Sequence, residues 1–331
     1  MRDLYKFYNV ETNGKSSKQL NNRRKSFGYQ VLGFGSGVAV AAAVTHGIYA
    51  FGQAASGSLT AVSNLLNDSG VISADVSGVG TTRYAAKASG YGGDKGIVAY
   101  GNTGSLTAIS NLISSLGVVA SDTAGVGTAR DGSAGAVYGA DKAIHGFGYG
   151  TTYLSLTNLV SSSGVVATDT TGVGTARNGV NCVEYSADKD KAIFIHGHSG
   201  SAYTNMRNLV SNSGVVASDA SGAGTGRANS NAARYGSDTA IIFGGNPGPT
   251  GISNLISNTG VVAADTAAVG TARHSMGGAE YGSDKAVFAF GYTGSLTAIS
   301  NLVSSVGVIA ADTAGVGTAR SYAAACSLGT Q

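Results

Sequence analysis

The sequence predicts an all-β protein of six tandem units, the pattern of a β-propeller, and three observations carry that expectation. The dipeptide Asn-Leu recurs at Asn64, Asn111, Asn158, Asn208, Asn254 and Asn301, at intervals of 47, 47, 50, 46 and 47 residues. Arginine recurs at the same intervals, as Arg83, Arg130, Arg177, Arg227, Arg273 and Arg320, and an aspartate stands eight residues before each: Asp75, Asp122, Asp169, Asp219, Asp265 and Asp312. The composition, 52 Gly and 2 Pro in 331 residues with 12% charged side chains, disfavours helix and is too weakly charged for a solvated, unfolded chain. Periods of this length, with room for four short strands each, mark propeller blades.

The unit from Thr81 to Gly127 shows why each segment reads as a strand. Tyr84 to Ala88 forms a first strand, closed by the turn Gly90-Tyr91-Gly92-Gly93. Lys95 to Tyr100 follows as a second strand, ended by Gly101 and the turn Asn102-Thr103-Gly104. Leu106, Ala108, Ser110 and Leu112 on one face, with Thr107, Ile109 and Asn111 on the other, give a third strand. Ser114-Ser115-Leu116-Gly117 makes a hairpin turn, and Val118 to Asp122 returns as the fourth strand. The turn glycine recurs at Gly70, Gly117, Gly164, Gly214, Gly260 and Gly307, as expected where the backbone needs positive φ.

The expected organisation is an arm over residues 1–26 and a propeller over 27–331. Its blades fall at 37–80, 81–127, 128–174, 175–224, 225–270 and 271–317, and 318–331 supplies a closing strand. That strand, 320–327, is expected to complete the blade holding 45–80. In the alternative, Val38 to Val44 provides the missing strand, and the C-terminal strand is left over or shares a partial seventh blade with Phe27 to Phe34.

The order Arg-Tyr-small-small, Asp-Lys-apolar-apolar-aromatic-Gly, then an Asn-Leu strand and a Val-Val strand resembles a degenerate Kelch repeat. The Arg is kept six times. The diglycine that ends the second Kelch strand survives only at Gly244-Gly245, and valine pairs such as Val165-Val166 replace the tryptophan. The resemblance spans about residues 37–331 and implies architecture more than activity. The phrases Gly-Val-Gly-Thr-Ala-Arg and Ser-Asn-Leu-Val-Ser-Ser also resemble glycine- and alanine-rich repeats of tailed-bacteriophage proteins. That likeness implies a virion component: a capsid decoration, or part of a tail or fibre.

Residues 1–25 hold seven basic side chains against Asp3 and Glu11, while the rest of the chain holds 14 basic and 16 acidic groups. The repeat region is therefore near neutral and offers no clustered cations for nucleic acid. The aromatic patch Leu4, Tyr5, Phe7 and Tyr8, followed by Arg23-Arg24-Lys25, reads as an anchoring arm that orders on an acidic partner surface, or else as a frayed tail. More than twenty polar residues precede the uncharged run from Val31 to Val44, so it does not fit a secretory signal. Its Gly, Ala and Ser content is too polar for a membrane span.

A residue present in every blade serves every blade, so the six Asp and six Arg read as structural and no catalytic residue is assigned. The glycines of Gly-Val-Gly-Thr-Ala-Arg precede a strand and lack the helix N-terminus of a phosphate loop. His196 and His198 share a strand face by spacing, but have no third ligand nearby, and Cys182 and Cys326 fit no metal or disulfide spacing. No metal or cofactor is expected. Variation between units concentrates in loops at 178–190, 197–205 and 246–249, with Tyr153, Tyr203 and Tyr292 on or beside the variable loops. The expectation is a non-enzymatic virion propeller that binds other virion proteins and copies of itself. The alternative is an adhesion module that holds a glycan or host receptor.

Overall fold

Uninterrupted apolar runs such as Ala192-Ile193-Phe194-Ile195 form strands buried on both faces, and each is flanked by further strands of a small antiparallel sheet. The computed structural model describes residues 45–267 and 269–329. The expected arm and the segment from Val38 to Val44 lie outside the described residues.

The first sheet contains β1 (Thr45–Gln53) and β2 (Leu59–Asn67); a single 3-10 turn, Ala55–Gly57, lies between them. The second holds β3 (Lys87–Tyr91), β4 (Lys95–Ala99) and β5 (Ser110–Ile113), and the third β6 (Ala134–Tyr138), β7 (Lys142–Tyr149) and β8 (Tyr153–Val160). The fourth comprises β9 (Asn181–Tyr185), β10 (Lys191–Ile195), β11 (Met206–Val210) and β12 (Ala220–Ser221). The fifth comprises β13 (Asn231–Tyr235), β14 (Thr239–Phe243), β15 (Ile252–Ile256) and β16 (Thr266–Ala267). The sixth holds β17 (Gly277–Tyr281), β18 (Lys285–Ala289) and β19 (Ser300–Val303). The last strand, β20 (Ala324–Ser327), returns to the first sheet and pairs with β1, with Ile48 opposite Cys326.

Four full strands per sheet were expected, and here the structure differs. The fourth strand is regular only as the two-residue β12 and β16; elsewhere it is reduced to isolated bridges, such as Ser110 with Thr123 and Ile113 with Val119. The cause is Asn111. Its side chain donates to the Ala120 carbonyl at 3.0 Å, taking the place of a ladder bond where two residues of the outer segment oppose one of β5. The first strand also starts later than its sequence suggests. Ala85 has φ +51°, which bends the chain, so β3 begins at Lys87 and takes in Gly90 and Tyr91, which read as a turn.

The first strands of successive sheets lie side by side: β3 against β6, β6 against β9, β9 against β13, β13 against β17, β17 against β20, and β20 against β3. Apolar clusters fill the spaces between neighbouring sheets. One joins Ile48 of the first sheet to Val98 and Ile113 of the second, and another joins Val287 of the sixth to Tyr49 and Leu66 of the first. Five of the six first strands, all but β20, end in a tyrosine that packs on a hairpin glycine of the next sheet. A Cβ at Gly164, where φ is +81°, would come within 2.9 Å of the Tyr91 ring, so this turn is held to glycine by both backbone and space.

The ends of the second strands fix how neighbouring sheets meet. Phe51, Tyr100, Phe147 and Phe290 adopt φ of 61°, 64°, 60° and 63°, unusual for aromatic residues. The turn aims each ring at the arginine of the following sheet: Arg83, Arg130, Arg177 and Arg320 stack on them at 4.1, 3.7, 4.2 and 3.8 Å from the ring centroids. The glycine that follows then donates its N–H to the same arginine's carbonyl, as Gly52 does to Arg83 at 3.0 Å and Gly291 to Arg320 at 2.8 Å. Two sheets depart from the pattern. At Gly244 the aromatic is missing; a Cβ there would lie 2.4 Å from Met276 Cε, so the buried methionine occupies that space. Phe243 approaches Arg273 from one residue earlier, at 5.4 Å.

His196 occupies the aromatic position of the fourth sheet, fully buried and with neither ring nitrogen hydrogen-bonded. Burial, with Arg227 nearby, holds its pKa well below the usual histidine value. An unfolded chain takes up protons near pH 6.5 while this imidazole stays neutral, so each such histidine removes stability as pH falls below that value. His196→Phe is expected to raise stability by about 1 to 2 kcal/mol at pH 7 and to flatten the decline of the melting temperature between pH 7 and 5. Thermal melts of both proteins across that range check this.

Candidate functional site

The recurring polar residues meet in one network per sheet. In the second sheet, Arg83 is fully buried; its Nε donates to the Tyr100 carbonyl at 2.9 Å, Nη1 to the Thr81 carbonyl at 3.1 Å and Nη2 to Asn111 Oδ1 at 2.6 Å. Asn111 Nδ2 in turn donates to Asp122 Oδ1 at 2.8 Å, and Asp122 accepts from the Thr81 N–H at 3.1 Å and from its hydroxyl. Arginine and aspartate are thus joined through asparagine and threonine more than by direct contact. The closest charged approaches, in the fourth and fifth sheets, are 3.7 Å for Arg177–Asp219 and 3.6 Å for Arg227–Asp265. The network of the first sheet is assembled from both ends of the described chain: Thr318 and Arg320 bind Asp75 and Asn64. Partial burial pushes these carboxyls up, but the hydrogen bonds from threonine and asparagine outweigh it and hold all six below the usual range. Burial lowers Arg83 to about 10, so it stays charged at neutral pH.

Threonine and asparagine were not singled out as partners of the Arg and Asp. The available signal was their fixed offset: Thr81 lies two residues before Arg83, and Asn111 eleven before Asp122, in register with every repeat.

The first strands of all six sheets line a cavity of about 70 Å³. At the end carrying the β9–β10 turn it widens into a space of about 310 Å³ bounded by His46, Lys189, Arg234, Glu280, Ser283 and Ser327. Glu280, buried, meets Lys189 Nζ at 2.8 Å and Arg234 Nη1 at 3.5 Å, which ties the fourth, fifth and sixth sheets together. Burial pushes the Glu280 carboxyl up against the pull of Lys189 and Arg234. Lys87 lines the cavity from β3, and burial lowers its pKa to about 8.

At the opposite end of the sheets, aromatic residues gather across the third and fourth sheets. Tyr149 and Tyr153 pack edge to face at 5.2 Å, Tyr153 meets His198 at 6.0 Å, and His198 meets Tyr203 at 4.8 Å. His198 Nδ1 accepts from the Gly200 N–H at 3.1 Å and lies 3.3 Å from the Tyr153 hydroxyl. Of the loop tyrosines expected from sequence, Tyr153 and Tyr203 therefore share one site, while Tyr292 stands apart in the sixth sheet against His274. Tyr149 and His198 complete the run and were not expected in it. Both follow the positive-φ glycine that ends a second strand, a position held elsewhere by Asn102, Asn246, Tyr292 and Gln53.

The sequence expectation that His196 and His198 share a face does not hold. His196, at φ +61°, and Gly197, at +121°, break the strand alternation and send one ring into the core and the other to the loop cluster. Among the described residues, no group of three His, Cys, Asp or Glu is placed to hold a metal ion. Cys182 and Cys326 are unpaired, and burial raises both thiols, Cys326 to about 12. No helix among the described residues is long and apolar enough to cross a membrane.

No protein-family model matches the chain, and no curated protein matches it either.

Asn111→Ala is expected to cost about 3 kcal/mol, because it strips a buried guanidinium of an acceptor and Asp122 of a donor. Asn301→Ala, in the sheet where Arg273 bonds the Phe288 carbonyl and Asn301 Oδ1 has no partner, is expected to cost about 1 kcal/mol. Urea unfolding of the two variants measures the difference.

Proposed function

We propose that the six sheets are the blades of one closed propeller, and that the protein is a non-enzymatic structural and binding module. The observation that carries the architecture is the meeting of the sixth sheet with the first. It has the same components as the internal junctions: Gly291 N–H to the Arg320 carbonyl, Phe290 stacked on Arg320, and an apolar cluster between Val287 and Leu66. The Thr318–Asp75 bonds link positions 243 residues apart, as a strand shared between the two ends of a chain requires. The recurring Arg, Asn, Asp and Thr are occupied in holding sheets together, which favours a scaffold over a catalyst. The residues that differ between sheets are then the ones available for recognition.

The wording of the repeat places the module, in this reading, in a tailed-phage virion, as a capsid decoration or as part of a tail or fibre. The basic, aromatic segment 1–26 anchors it to other virion proteins. The adhesion reading, with a glycan or host receptor held by blade loops, is favoured by one observation, the clustering of Tyr153 and Tyr203 around His198.

Affinity capture from purified particles, with the full-length chain and with residues 27–331, tests the assembly role. Capture of a capsid or tail protein by the full-length chain alone is expected. Equal capture by both moves the interface onto the sheets, and capture by neither contradicts the assembly role.

A further inference from the structure

The run of rings across the third and fourth sheets differs in character from the opposite end of the molecule. The turns between first and second strands are charged, as at Asp94-Lys95, Asp141-Lys142 and Asp284-Lys285. At the aromatic end, the only cations in the described loops are the buried network arginines. Asp131 is the one carboxylate there outside those networks; burial pushes it up, and Asn102 Nδ2 donates to it at 3.2 Å. The loops around the rings carry Thr151, Thr152, Ser199 and Ser201, all hydroxyl-bearing and free of charge.

Tyr149 and Tyr203 are 37% and 39% exposed, large for rings already packed on a neighbour. Among the described residues nothing bonds the hydroxyl of either ring. His198 Nδ1 accepts from Gly200 N–H, which leaves Nε2 to carry the proton and point a donor outward. The surface therefore offers apolar ring faces in a line, with hydroxyl and imidazole groups that both donate and accept, and no free cation for an anionic polymer.

We propose that Tyr149, Tyr153, His198 and Tyr203 form a binding site for a neutral saccharide chain. C–H faces of successive sugars pack on the exposed Tyr149 and Tyr203 rings, and sugar hydroxyls pair with the tyrosine hydroxyls and His198 Nε2. Tyr153, held between Tyr149 and His198, positions both. This deepens the binding-module reading by naming the ligand class of its loop cluster. The loops around the site offer no unpaired cation and set the Asp131 carboxylate next to Tyr149, which selects against acidic glycans and nucleic acids.

A printed array of neutral and acidic oligosaccharides, probed with the full chain, is the test, followed by titration calorimetry on the best-retained neutral glycan. Retention of neutral glycans is expected, weakened roughly ten-fold by Tyr149→Ala or Tyr203→Ala and lost in the double variant. Tyr292→Ala, on the sixth sheet, is expected to bind as the parent does. Unchanged thermal melts show that the variants remain folded. The proposal is overturned if the folded parent retains no neutral glycan, retains only acidic ones, or binds as well in the double variant. Such a result, with melting intact, leaves the scaffold reading standing.

Discussion

A buried arginine at each meeting of two sheets is the constraint on which the rest of the structure depends. Removing a guanidinium from water costs several kcal/mol unless its donors are matched. The protein meets this cost with groups from two sheets at once. The preceding sheet supplies an aromatic face and a glycine N–H to the arginine's carbonyl, as Phe51 and Gly52 do for Arg83. The arginine's own sheet supplies asparagine and two carbonyls. The left-handed turn at the end of each second strand follows from this arrangement, since only that turn sets ring and N–H on the same arginine. The aspartate and threonine follow as well, because they orient the asparagine that bonds the arginine.

Much of this was legible in the sequence, though not all for the same reason. The period, the recurring Arg and Asp, and the second strands were plain, because burial on both faces leaves an apolar run that needs no partner to recognise. The weak fourth strand was not, since Val118-Val119 has good strand character. What breaks the ladder is an asparagine side chain bonded to Ala120, an effect of a neighbouring segment that periodicity does not register. The late start of β3 was hidden for a similar reason: Ala85 has no local cause to adopt φ +51°, and Gly132 of the next sheet donates its N–H to the Ala85 carbonyl. At the loop cluster, Tyr153 and Tyr203 were visible as loop aromatics. Their meeting through His198, and the separation of Tyr292, depend on which sheets are neighbours.

Departures from the repeat are informative because they carry their own compensation. Gly244 lacks the aromatic ring, and Met276 fills the volume. His196 keeps the position but with two unbonded nitrogens, a local loss that the surrounding junction sustains. Arg273 turns from asparagine to the Phe288 carbonyl. The repeated polar residues thus form a tolerant scaffold. Two groups of side chains that are not repeated lie outside these junctions, the ionic cluster on Glu280 at one mouth of the cavity and the aromatic run at the other end.

The central claim, that the sixth and first sheets meet as the other neighbours do, is tested most directly by native-state hydrogen exchange at the junction glycines. The account predicts that the Gly291 amide, which bonds the Arg320 carbonyl across the sixth and first sheets, exchanges only through global unfolding, at the same free energy as those of Gly52, Gly101, Gly148, Gly197 and Gly245. Faster exchange at Gly291, with the other five still protected, would show an array open between its sixth and first sheets and would contradict it.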